Sequence, residues 1–462
     1  MKSVPLHTTM SETLIISVSG VRGIVGTDLT PELVCSFAAA FGTLARDGGR
    51  PSVVLARDAR TSGPMLAAAA RAGLQSVGCN VIECGLIPTP TAQLAVEHHE
   101  AGGGIVLTAS HNPIEWNALK FIGSDGLFLD RDTADRLREL AEGGEIPRMR
   151  WDGVGDVGRD PDAVTRHVDA VLASPFVHPE AIHARKISVA LDAVRGVGGV
   201  IMPGLLERLG CTVASVHLEP DGRFPRGPEP VPEHLGDLTR LVREAGADVG
   251  FAMDPDGDRL ALTDERGEPI GEDYTLALAV RAVLEQRRGP VVVNLSTSLV
   301  VDDAARPYGV EVQRAPVGEA NVARAMRDAG AIVGGEGNGG VILPSLHLGR
   351  DAPIAAALVL DLMTRTGKTI SELVAQQPRY AIVKAKAPRG GELERMYRAL
   401  TDTFTDAVAD RQDGLRLAWE DRWLHVRPSG TEPIVRLIAE ARSKEHADSL
   451  VARARELLQQ SR

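Results

Sequence analysis

The chain has 462 residues, which predicts roughly three or four domains at about 150 residues each. Apolar residues make up 44% and charged residues 24%, and no apolar run is long enough to cross a bilayer, so the composition indicates a soluble globular protein without a membrane partner. The net charge of −11 argues against nucleic acid as a partner, because phosphate backbones require a basic surface. The N-terminus lacks the basic and apolar segments of a secretory signal, which predicts a cytoplasmic protein.

The first predicted elements lie near the N-terminus. Residues 15–23 predict a strand that runs into a glycine-rich loop carrying Arg22. Thr30, Pro31 and Glu32 then predict the start of a helix, because a capping hydroxyl, a proline and an acid are typical of a first turn.

A pattern of strand, helix and strand spans residues 52–82 and recurs, more faintly, at 188–213 and 291–312. Such units predict parallel or mixed sheets, and three copies predict three α/β domains of one plan. From about Tyr380 the pattern changes and predicts a small α+β domain, with one helix from Gly391 to Ala409. The predicted domain limits are 1–155, 156–260, 261–375 and 376–462.

The cysteines carry little functional signal. Their spacing suits neither a zinc site nor a disulfide scaffold, which predicts buried free thiols. They are Cys35, Cys79, Cys84 and Cys211.

The stretch 105–121 carries a candidate nucleophile, Ser110. A short apolar run predicts a buried strand, an Asn-Pro pair stops it, and Ser110 lies on the loop that follows. A hydroxyl is a weak nucleophile unless a base, a metal or a cationic field activates it, and His111 and Lys120 are near in sequence. The alternative is an ordinary turn in which Ser110 and His111 only bond the backbone.

An acidic loop follows a second apolar strand. Asp254, Asp256 and Asp258 alternate with a proline and a glycine, so a tight loop can aim all three carboxylates at one point. Close carboxylates repel, and a hard divalent cation such as Mg²⁺ relieves this repulsion. Counted from Asp254, the twelfth position of an EF-hand loop would be Glu265, as that motif requires, but the sixth would be Arg259 instead of glycine, which excludes an EF-hand. A solvated acidic turn is the alternative.

The glycine-rich stretch 334–340 surrounds Glu336 and Asn338 with open backbone. One carboxylate and one amide can accept and donate hydrogen bonds to neighbouring sugar hydroxyls. His347, Arg350 and Asp351 are expected to close the same pocket. A flexible loop with an incidental acid is the alternative.

The loop that begins at Arg427 offers a guanidinium, the hydroxyls of Ser429 and Thr431, and backbone donors near Gly430. This combination suits a phosphate dianion, although an ordinary Pro/Gly turn is also consistent with it. The four stretches together predict a serine, a divalent metal and a phosphorylated, hydroxylated substrate.

The same four stretches resemble the signature loops of the α-D-phosphohexomutases, in the same order along the chain. They are Thr108-Ala109-Ser110-His111-Asn112-Pro113, Asp254-Pro255-Asp256-Gly257-Asp258-Arg259, Gly335-Glu336-Gly337-Asn338-Gly339 and Arg427-Pro428-Ser429-Gly430-Thr431-Glu432-Pro433. Ser19-Gly20-Val21-Arg22-Gly23 extends the match, which spans nearly the whole chain. The resemblance implies three similar α/β domains of mixed sheets flanked by helices, and a C-terminal α+β domain, around a central cleft.

The resemblance implies an enzyme that works through a phosphorylated serine. Ser110 would carry the phosphoryl group, and Mg²⁺ would be held by Asp254, Asp256, Asp258 and an oxygen of phosphorylated Ser110. Transfer to a hexose phosphate would give a sugar 1,6-bisphosphate, which turns around and returns its other phosphate, so that phosphate moves between O6 and O1. The expected partner is a hexose phosphate, and the protein is expected to be a monomer or a homodimer.

The resemblance also implies roles for further side chains. Arg22 and Lys120 would neutralise charge on the transferring group, and His111 or Lys120 would assist proton transfer. The residues expected to bind substrate are Arg259, Glu336, Asn338, Arg427, Ser429, Gly430 and Thr431.

The expected substrate is glucosamine phosphate, with mannose or glucose phosphate as the alternative. The loop from Arg427 resembles that of phosphoglucosamine mutases, and Asn338-Gly339-Gly340 is similar to a branch that includes them. Thr108 and Pro255 instead resemble the hexose enzymes. Two other classes stay open, which are a phosphosugar-binding protein without turnover and a phosphatase in which water takes the phosphoryl group from Ser110.

Overall fold

The computed structural model of the chain describes residues 14–17, 20–143, 145–388, 393–429 and 434–460. These residues form four sheets, of seven, four, five and five strands. Helices flank the first three sheets, which mix parallel and antiparallel strands, and the fourth sheet is antiparallel. The predicted fold class, three α/β domains of mixed sheets followed by an α+β domain, is confirmed.

The first sheet contains seven strands. They are β1 Ile15–Ser17, β2 Gly20–Ile24, β3 Ser52–Arg57, β4 Asn80–Leu86, β5 Gly103–Leu107, β6 Trp116–Gly123 and β7 Val157–Arg159, in the order β1-β2-β6-β5-β3-β4-β7. The helices of this part are α1 Pro31–Asp47, α2 Gly63–Ser76, α3 Thr89–His98 and α4 Arg131–Gly143. The predicted start of α1 is confirmed, because Thr30 Oγ1 accepts a hydrogen bond from the backbone N–H of Leu33 at 3.4 Å.

The predicted single strand before Arg22 is wrong. The chain forms a hairpin in which Ser17 of β1 pairs with Gly20 of β2, and Arg22 lies within β2 instead of on a loop. Gly20 has a φ of +111°, and a Cβ there would lie 1.9 Å from the carbonyl oxygen of Leu119, so only glycine fits this position.

The second and third sheets follow. The second contains β8 Ser188–Asp192, β9 Thr212–Val216, β10 Val249–Met253 and β11 Leu260–Thr263, with helices α5 Ala163–Leu172, α6 Pro179–Arg185, α7 Gly198–Arg208 and α8 Gly236–Ala245. The third contains β12 Val291–Asn294, β13 Val312–Ala315, β14 Val333–Glu336, β15 Gly340–Leu343 and β16 His347–Arg350, with α9 Glu272–Leu284, α10 Val300–Ala305, α11 Glu319–Ala329, α12 Ala352–Thr366 and α13 Ile370–Ala375. Short 3₁₀ turns occur at Trp151–Gly153, Pro232–His234 and Arg306–Tyr308.

The first three sheets share one four-strand plan, which confirms the faint repeat in the sequence. The shared orders are β6-β5-β3-β4, β11-β10-β8-β9 and β15-β14-β12-β13. In each, three neighbouring strands run parallel and the fourth is antiparallel to the strand beside it. The loop into that antiparallel strand therefore occupies the same place in all three sheets.

The fourth sheet contains β17 Ala381–Pro388, β18 Val408–Asp410, β19 Leu415–Ala418, β20 Trp423–Pro428 and β21 Ile434–Ala441, in the order β17-β21-β20-β19-β18. Helices α14 Leu393–Thr403 and α15 Lys444–Gln460 pack against one face of it. The predicted helix from Gly391 to Ala409 is wrong at its end, because α14 stops at Thr403 and the chain turns back as β18, which pairs with β19.

Apolar packing does not divide the chain at the predicted domain limits. One continuous core joins the second and third sheets, and buried α12 packs between α9 and helices α5, α6 and α7. β7 completes the first sheet although it follows residue 155, and β11 continues the second sheet from residue 260. The exact limits stay a prediction. Among the described helices, none combines the length and the apolar character needed to cross a bilayer.

Candidate active site

Three of the four sequence-predicted loops lie at the equivalent place in the repeated sheets. Ser110 lies between β5 and β6, the three aspartates between β10 and β11, and Asn338 between β14 and β15. The fourth loop, which begins at Arg427, lies between β20 and β21. The repeated topology, rather than any local pattern, brings the first three loops together.

Ser110 is buried, with 3% of its surface exposed, and has a left-handed φ of 48°. Its hydroxyl donates a hydrogen bond to Asp254 Oδ2 at 2.9 Å. Its backbone N–H donates to Thr108 Oγ1 at 3.0 Å, and Thr108 Oγ1 donates to Asp58 Oδ2 at 2.7 Å. Non-glycine residues rarely adopt this backbone conformation, so the surrounding contacts must hold Ser110 toward the acidic loop.

The three aspartates form a compact acidic cluster. One carboxylate oxygen from each of Asp254, Asp256 and Asp258 lies within 4.8 Å of the others, and all three residues are buried. Asp254 Oδ1 accepts hydrogen bonds from the backbone N–H groups of Gly257, Asp258 and Arg259 at 3.0, 3.2 and 3.3 Å, which fixes the loop. Asp256 Oδ1 and Asp258 Oδ1 are buried and have no hydrogen-bond partner in the described part of the chain. Buried carboxylate oxygens without donors fit a divalent cation with oxygen ligands such as Mg²⁺.

The pKa values of Asp254 and Asp256 shift in opposite directions. Burial, together with the charges of Asp258 and Asp256, raises the pKa of Asp254 well above its usual value. Burial acts in the same direction on Asp256, but Lys120 Nζ lies 2.6 Å from its Oδ2 and holds its pKa well below the usual range. Burial opposes the charge on Lys120, yet Asp256 and Asp258 raise the pKa of its ammonium group. Lys120 therefore stays cationic beside the aspartates.

Two arginines lie near His111, the residue that follows Ser110. Arg22 Nη1 donates to Asn112 Oδ1 at 2.7 Å, and Arg259 Nη1 lies 3.1 Å from Glu229 Oε1. The positive charge of Arg259, then burial and the charge of Arg22, lower the pKa of His111 to about 2. His111 is therefore neutral at physiological pH, and its buried Nδ1 has no hydrogen-bond partner among the described residues.

Arg350 connects the acidic loop to the glycine-rich stretch 334–340. Its Nη2 donates to Asp258, its Nη1 donates to Glu336 Oε2 at 2.8 Å, and its Nε donates to Glu319 Oε2 at 3.1 Å. Glu336 Oε1 accepts from Asn294 Nδ2 at 2.8 Å and from the backbone N–H of Gly318 at 3.0 Å. The carboxylate of Glu336 is therefore held in one orientation, with acceptor capacity left on Oε2.

Asn338 supports the turn of the glycine-rich stretch 334–340, whereas His347 on β16 has a different set of partners. Asn338 Oδ1 accepts from the backbone N–H of Gly340 at 3.3 Å, which supports the turn. The expectation that His347 closes the sugar pocket is wrong. His347 is buried, and its Nε2 lies 2.9 Å from Asp351 Oδ2, which also bonds His167 Nε2 at 2.7 Å. Asp351 caps α12, so this group of side chains belongs to the packing between sheets.

The fourth loop joins the same chain of contacts through Asp413. Arg427 Nε lies 2.9 Å from Asp413 Oδ2, which also accepts a hydrogen bond from the backbone N–H of Val317 at 3.3 Å. Val317 precedes Gly318, whose backbone N–H donates to Glu336, so polar contacts link the glycine-rich stretch 334–340 to Arg427. Ser429 is 8% exposed. Gly430 and Thr431 lie outside the described residues.

Sequence reasoning missed several residues that the fold brings to the site. Thr89 Oγ1 donates to Asp256 Oδ2 at 2.7 Å, Asn294 holds Glu336, Asp413 holds Arg427, and Arg60 bonds the loop of Ser110. The sequence pattern could have indicated Arg60 and Asn294. Arg60 follows the parallel strand β3 and Asn294 ends the parallel strand β12, and side chains at the ends of such strands commonly face a ligand-binding site. No local pattern marks Thr89 or Asp413.

One family accounts for almost the whole chain. The phosphoglucomutase/phosphomannomutase alpha/beta/alpha domains I, II and III match residues 14–146, 165–267 and 271–380, and the C-terminal domain of the same family matches residues 383–457. A phosphoglucomutase/phosphomannomutase of Thermococcus kodakarensis is 39% identical over 448 residues, which cover 96% of this chain and 98% of that protein. The chain belongs to the phosphoglucomutase/phosphomannomutase family.

Other proteins related to this member of the phosphoglucomutase/phosphomannomutase family match it over a similar length. A probable phosphoglucosamine mutase of Methanopyrus kandleri is 38% identical over 437 residues, 94% of this chain and 95% of that protein. The crystal structure of a family protein from Burkholderia thailandensis gives a TM-score of 0.85 at 27% identity, and covers 97% of this chain and 98% of that one. The predicted family, one of isomerases, is confirmed.

Proposed function

We propose that the protein is a phosphohexomutase that moves a phosphoryl group between O6 and O1 of a hexose phosphate. Ser110 is the phosphoryl carrier, and a sugar 1,6-bisphosphate is the intermediate. The observation that carries this proposal is the hydrogen bond of 2.9 Å from Ser110 Oγ to Asp254 Oδ2. It places a buried hydroxyl directly against a cluster of three carboxylates, an arrangement that suits transfer of a charged phosphoryl group better than a structural turn.

The reaction is balanced over two transfers. In the first, the free hydroxyl of the hexose phosphate attacks the phosphorus of phosphorylated Ser110, the bond from phosphorus to Ser110 Oγ breaks, and a sugar bisphosphate forms. The bisphosphate then turns around. In the second, Ser110 Oγ attacks the other phosphate, the bond from that phosphorus to the sugar oxygen breaks, and a proton returns to the sugar oxygen. The sum is an isomerisation that leaves the enzyme phosphorylated.

Mg²⁺ is the cofactor that the acidic cluster fits, and Asp254, Asp256 and Asp258 would hold it together with an oxygen of phosphorylated Ser110. When bound, the ion supplies positive charge to the phosphoryl oxygens. Lys120 adds a fixed positive charge, because its ammonium group bonds Asp256 at 2.6 Å and stays protonated. Arg22, on the adjacent strand β2, adds a second.

We assign the proton acceptor to His111. The neighbouring arginines and burial lower the pKa of its imidazole to about 2, so the ring is neutral, and the anionic phosphoryl group on Ser110 would offset those positive charges and make the ring a stronger base. Lys120 is held in its charged form by Asp256, which favours a role in neutralising charge over a role as a base.

The opposite end of the site would hold the sugar and its second phosphate. Glu336 would accept hydrogen bonds from sugar hydroxyls through the free capacity of Oε2, and Asn338 and Arg259 would supply further contacts to the substrate. Arg427 and Ser429 would bind the phosphate that does not react, because a guanidinium and a hydroxyl suit its oxygens. Gly430 and Thr431 keep the same predicted role.

We propose glucosamine 6-phosphate as the preferred substrate. The loops that begin at Arg427 and at Glu336 support this choice, as does the name of the relative from Methanopyrus kandleri, a probable phosphoglucosamine mutase. Mannose or glucose phosphate is the second candidate, supported by Thr108 and Pro255 and by the name of the Thermococcus kodakarensis relative.

The test uses purified protein, Mg²⁺ and a trace of sugar 1,6-bisphosphate with glucosamine, mannose and glucose 6-phosphates in parallel. We expect isomerisation of all three at different rates and the highest kcat/KM for the glucosamine compound. Ser110→Ala is expected to abolish isomerisation and to keep substrate binding, measured by calorimetry. Full activity in Ser110→Ala contradicts the phosphoserine mechanism, and release of inorganic phosphate without isomerisation identifies a phosphatase instead.

A further inference from the structure

The loop that carries Ser110 is folded around the side chain of Arg60. Arg60 is completely buried, and its guanidinium uses all five of its N–H groups. The acceptors are Asp58 Oδ2 at 3.1 Å from Nε, the carbonyl oxygens of Pro113 and Trp116 at 2.6 and 2.9 Å from Nη1, and those of Ser110 and Asn112, both at 2.7 Å from Nη2. Four backbone carbonyls of one short loop therefore point at one cation.

Asp58 completes the support of Ser110. Its Oδ1 accepts from the backbone N–H of Arg60 at 2.8 Å, and its Oδ2 accepts from Thr108 Oγ1 at 2.7 Å. Thr108 Oγ1 in turn accepts from the backbone N–H of Ser110 at 3.0 Å. Both the N–H and the carbonyl of Ser110 are thus held, directly or through one residue, by the pair of Asp58 and Arg60.

A loop that follows β9, in the second sheet, covers this guanidinium. The ring of Phe224 lies 4.9 Å from Arg60 Cζ, which is a cation–π contact. Gly222 comes so close to the first sheet that a Cβ there would lie 2.0 Å from the carbonyl oxygen of Ala59. Arg60 is therefore sealed from water by the loop that carries Ser110 and by the loop that follows β9.

We propose that Arg60 is a positioning residue for phosphoryl transfer in this protein. By drawing the loop carbonyls behind Ser110, it keeps their negative ends away from the incoming phosphate. It also holds the left-handed φ of 48° that points Ser110 Oγ at Asp254. A lysine cannot replace it, because an ammonium group has three donors and lacks the planar fork. The inference rests on the proposed function of Ser110.

The first test is Arg60→Lys, compared with wild type and with Arg365→Lys. Arg365 is a matched control, because it also bonds two carboxylates and a carbonyl, those of Asp361, Glu285 and Ala282, but lies on α12 away from the site. We expect kcat of Arg60→Lys to fall by about 100-fold, because displacement of a reacting atom by about 1 Å has an effect of this size. KM for the hexose phosphate is expected to stay within about threefold, because substrate binding uses other residues. Arg365→Lys is expected to keep wild-type kcat.

Two further readouts separate positioning from loss of folding. Intact-mass analysis follows transfer of phosphate from the sugar bisphosphate to Ser110, which should slow by the same factor as kcat. Guanidinium at a non-denaturing concentration should restore part of the activity of Arg60→Ala and none of Ser110→Ala. If Arg60→Ala does not fold, Phe224→Ala replaces it as a milder variant. We expect Phe224→Ala to show a smaller fall in kcat and an unchanged KM.

Hydrogen exchange of residues 108–116 tests the loop without any turnover. Exchange there should be faster in Arg60→Lys than in wild type and in Arg365→Lys. The inference is overturned if Arg60→Lys keeps wild-type kcat and exchange while Ser110→Ala is inactive. If the wild type shows no mutase activity, the proposed function fails, and the exchange result alone then decides whether Arg60 holds the loop.

Discussion

Binding of Mg²⁺ should stabilise the protein through the three aspartates. Ligand oxygens of Asp254, Asp256 and Asp258 lie within 4.8 Å of one another, so each charged pair repels by about 3.5 kcal/mol at an effective dielectric constant of 20. Lys120 lies beside Asp256 and Arg350 beside Asp258, whereas no described cation lies within ion-pair distance of Asp254. Repulsion at Asp254 is therefore the part that a bound metal relieves most.

The expected size follows from linkage. Mg²⁺ at 100 times its dissociation constant adds about 2.7 kcal/mol to the free energy of unfolding. The second and third sheets share one core, so a unit of roughly 200 residues should respond, with a rise in Tm of roughly 5–10 °C. Differential scanning calorimetry in chelator and in Mg²⁺ measures this rise.

Asp254→Asn should give a different pattern. It removes one charge from the cluster, and a tenfold loss of affinity would reduce the stabilisation at the same Mg²⁺ concentration to about 1.4 kcal/mol. In chelator the variant should unfold at the wild-type temperature or above it, because a buried charge without a cation has been removed. Relative to wild type, Asp254→Asn should therefore lower the free energy of unfolding in Mg²⁺ but not in chelator.

Asp264→Asn is the matched control. Asp264 is also buried, with 2% of its surface exposed, and also accepts backbone hydrogen bonds in a turn, from Arg266 at 3.0 Å and Glu268 at 2.8 Å. It is not part of the acidic cluster, so its variant should lose stability equally in chelator and in Mg²⁺ and keep the full rise in Tm. Equal rises in wild type and Asp254→Asn, or no rise in wild type at millimolar Mg²⁺, would refute the assigned site.

Three further measurements test other parts of the structure. Glu336→Gln should lower kcat/KM by about 10- to 100-fold, because a charged hydrogen bond to a sugar hydroxyl is lost, and an unchanged value excludes Glu336 from substrate binding. Arg427→Met should raise KM for the hexose phosphate by about 10-fold or more with a smaller change in kcat, and an effect on kcat alone contradicts a phosphate-binding role. Burial raises the pKa of the thiols of Cys79, Cys84 and Cys211 to about 12. At pH 8 the thiolate fraction of each is then on the order of 10⁻⁴. Iodoacetamide should therefore modify these cysteines about 10³-fold more slowly in the folded protein than in the unfolded chain. The rate should rise with pH, and fast labelling of the folded protein at pH 8 would contradict the raised pKa values of these thiols.

The prediction of free thiols is confirmed for all four cysteines, but only Cys79 is fully buried. Cys35, Cys84 and Cys211 are partly exposed. Burial of a small side chain depends on what packs over it, which the sequence around a cysteine does not record.

Local chemistry explains why much of the fold could be predicted. Apolar runs of strand length followed by polar loops marked β5, β10 and β14, and Thr30 marked the start of α1. The errors share a cause. Strand β1 pairs with β2, and β18 pairs with β19, so the chain reverses within a few residues at both places, and a run of apolar or helix-forming residues does not reveal such a reversal.

The sequence by itself determined the chemical groups that each loop carries, because Ser110, the three aspartates, Glu336 and Arg427 are each recognisable from their own neighbours. Only the tertiary structure decided which side chains hold these groups in place. Arg350 bonds Asp258 from 92 residues away, Thr89 bonds Asp256 from 167 residues away, and Arg60 bonds Ser110 from 50 residues away. Such contacts depend on the order of strands in the sheets and on the packing of one sheet against another, and a pattern of nearby residues contains no information about either.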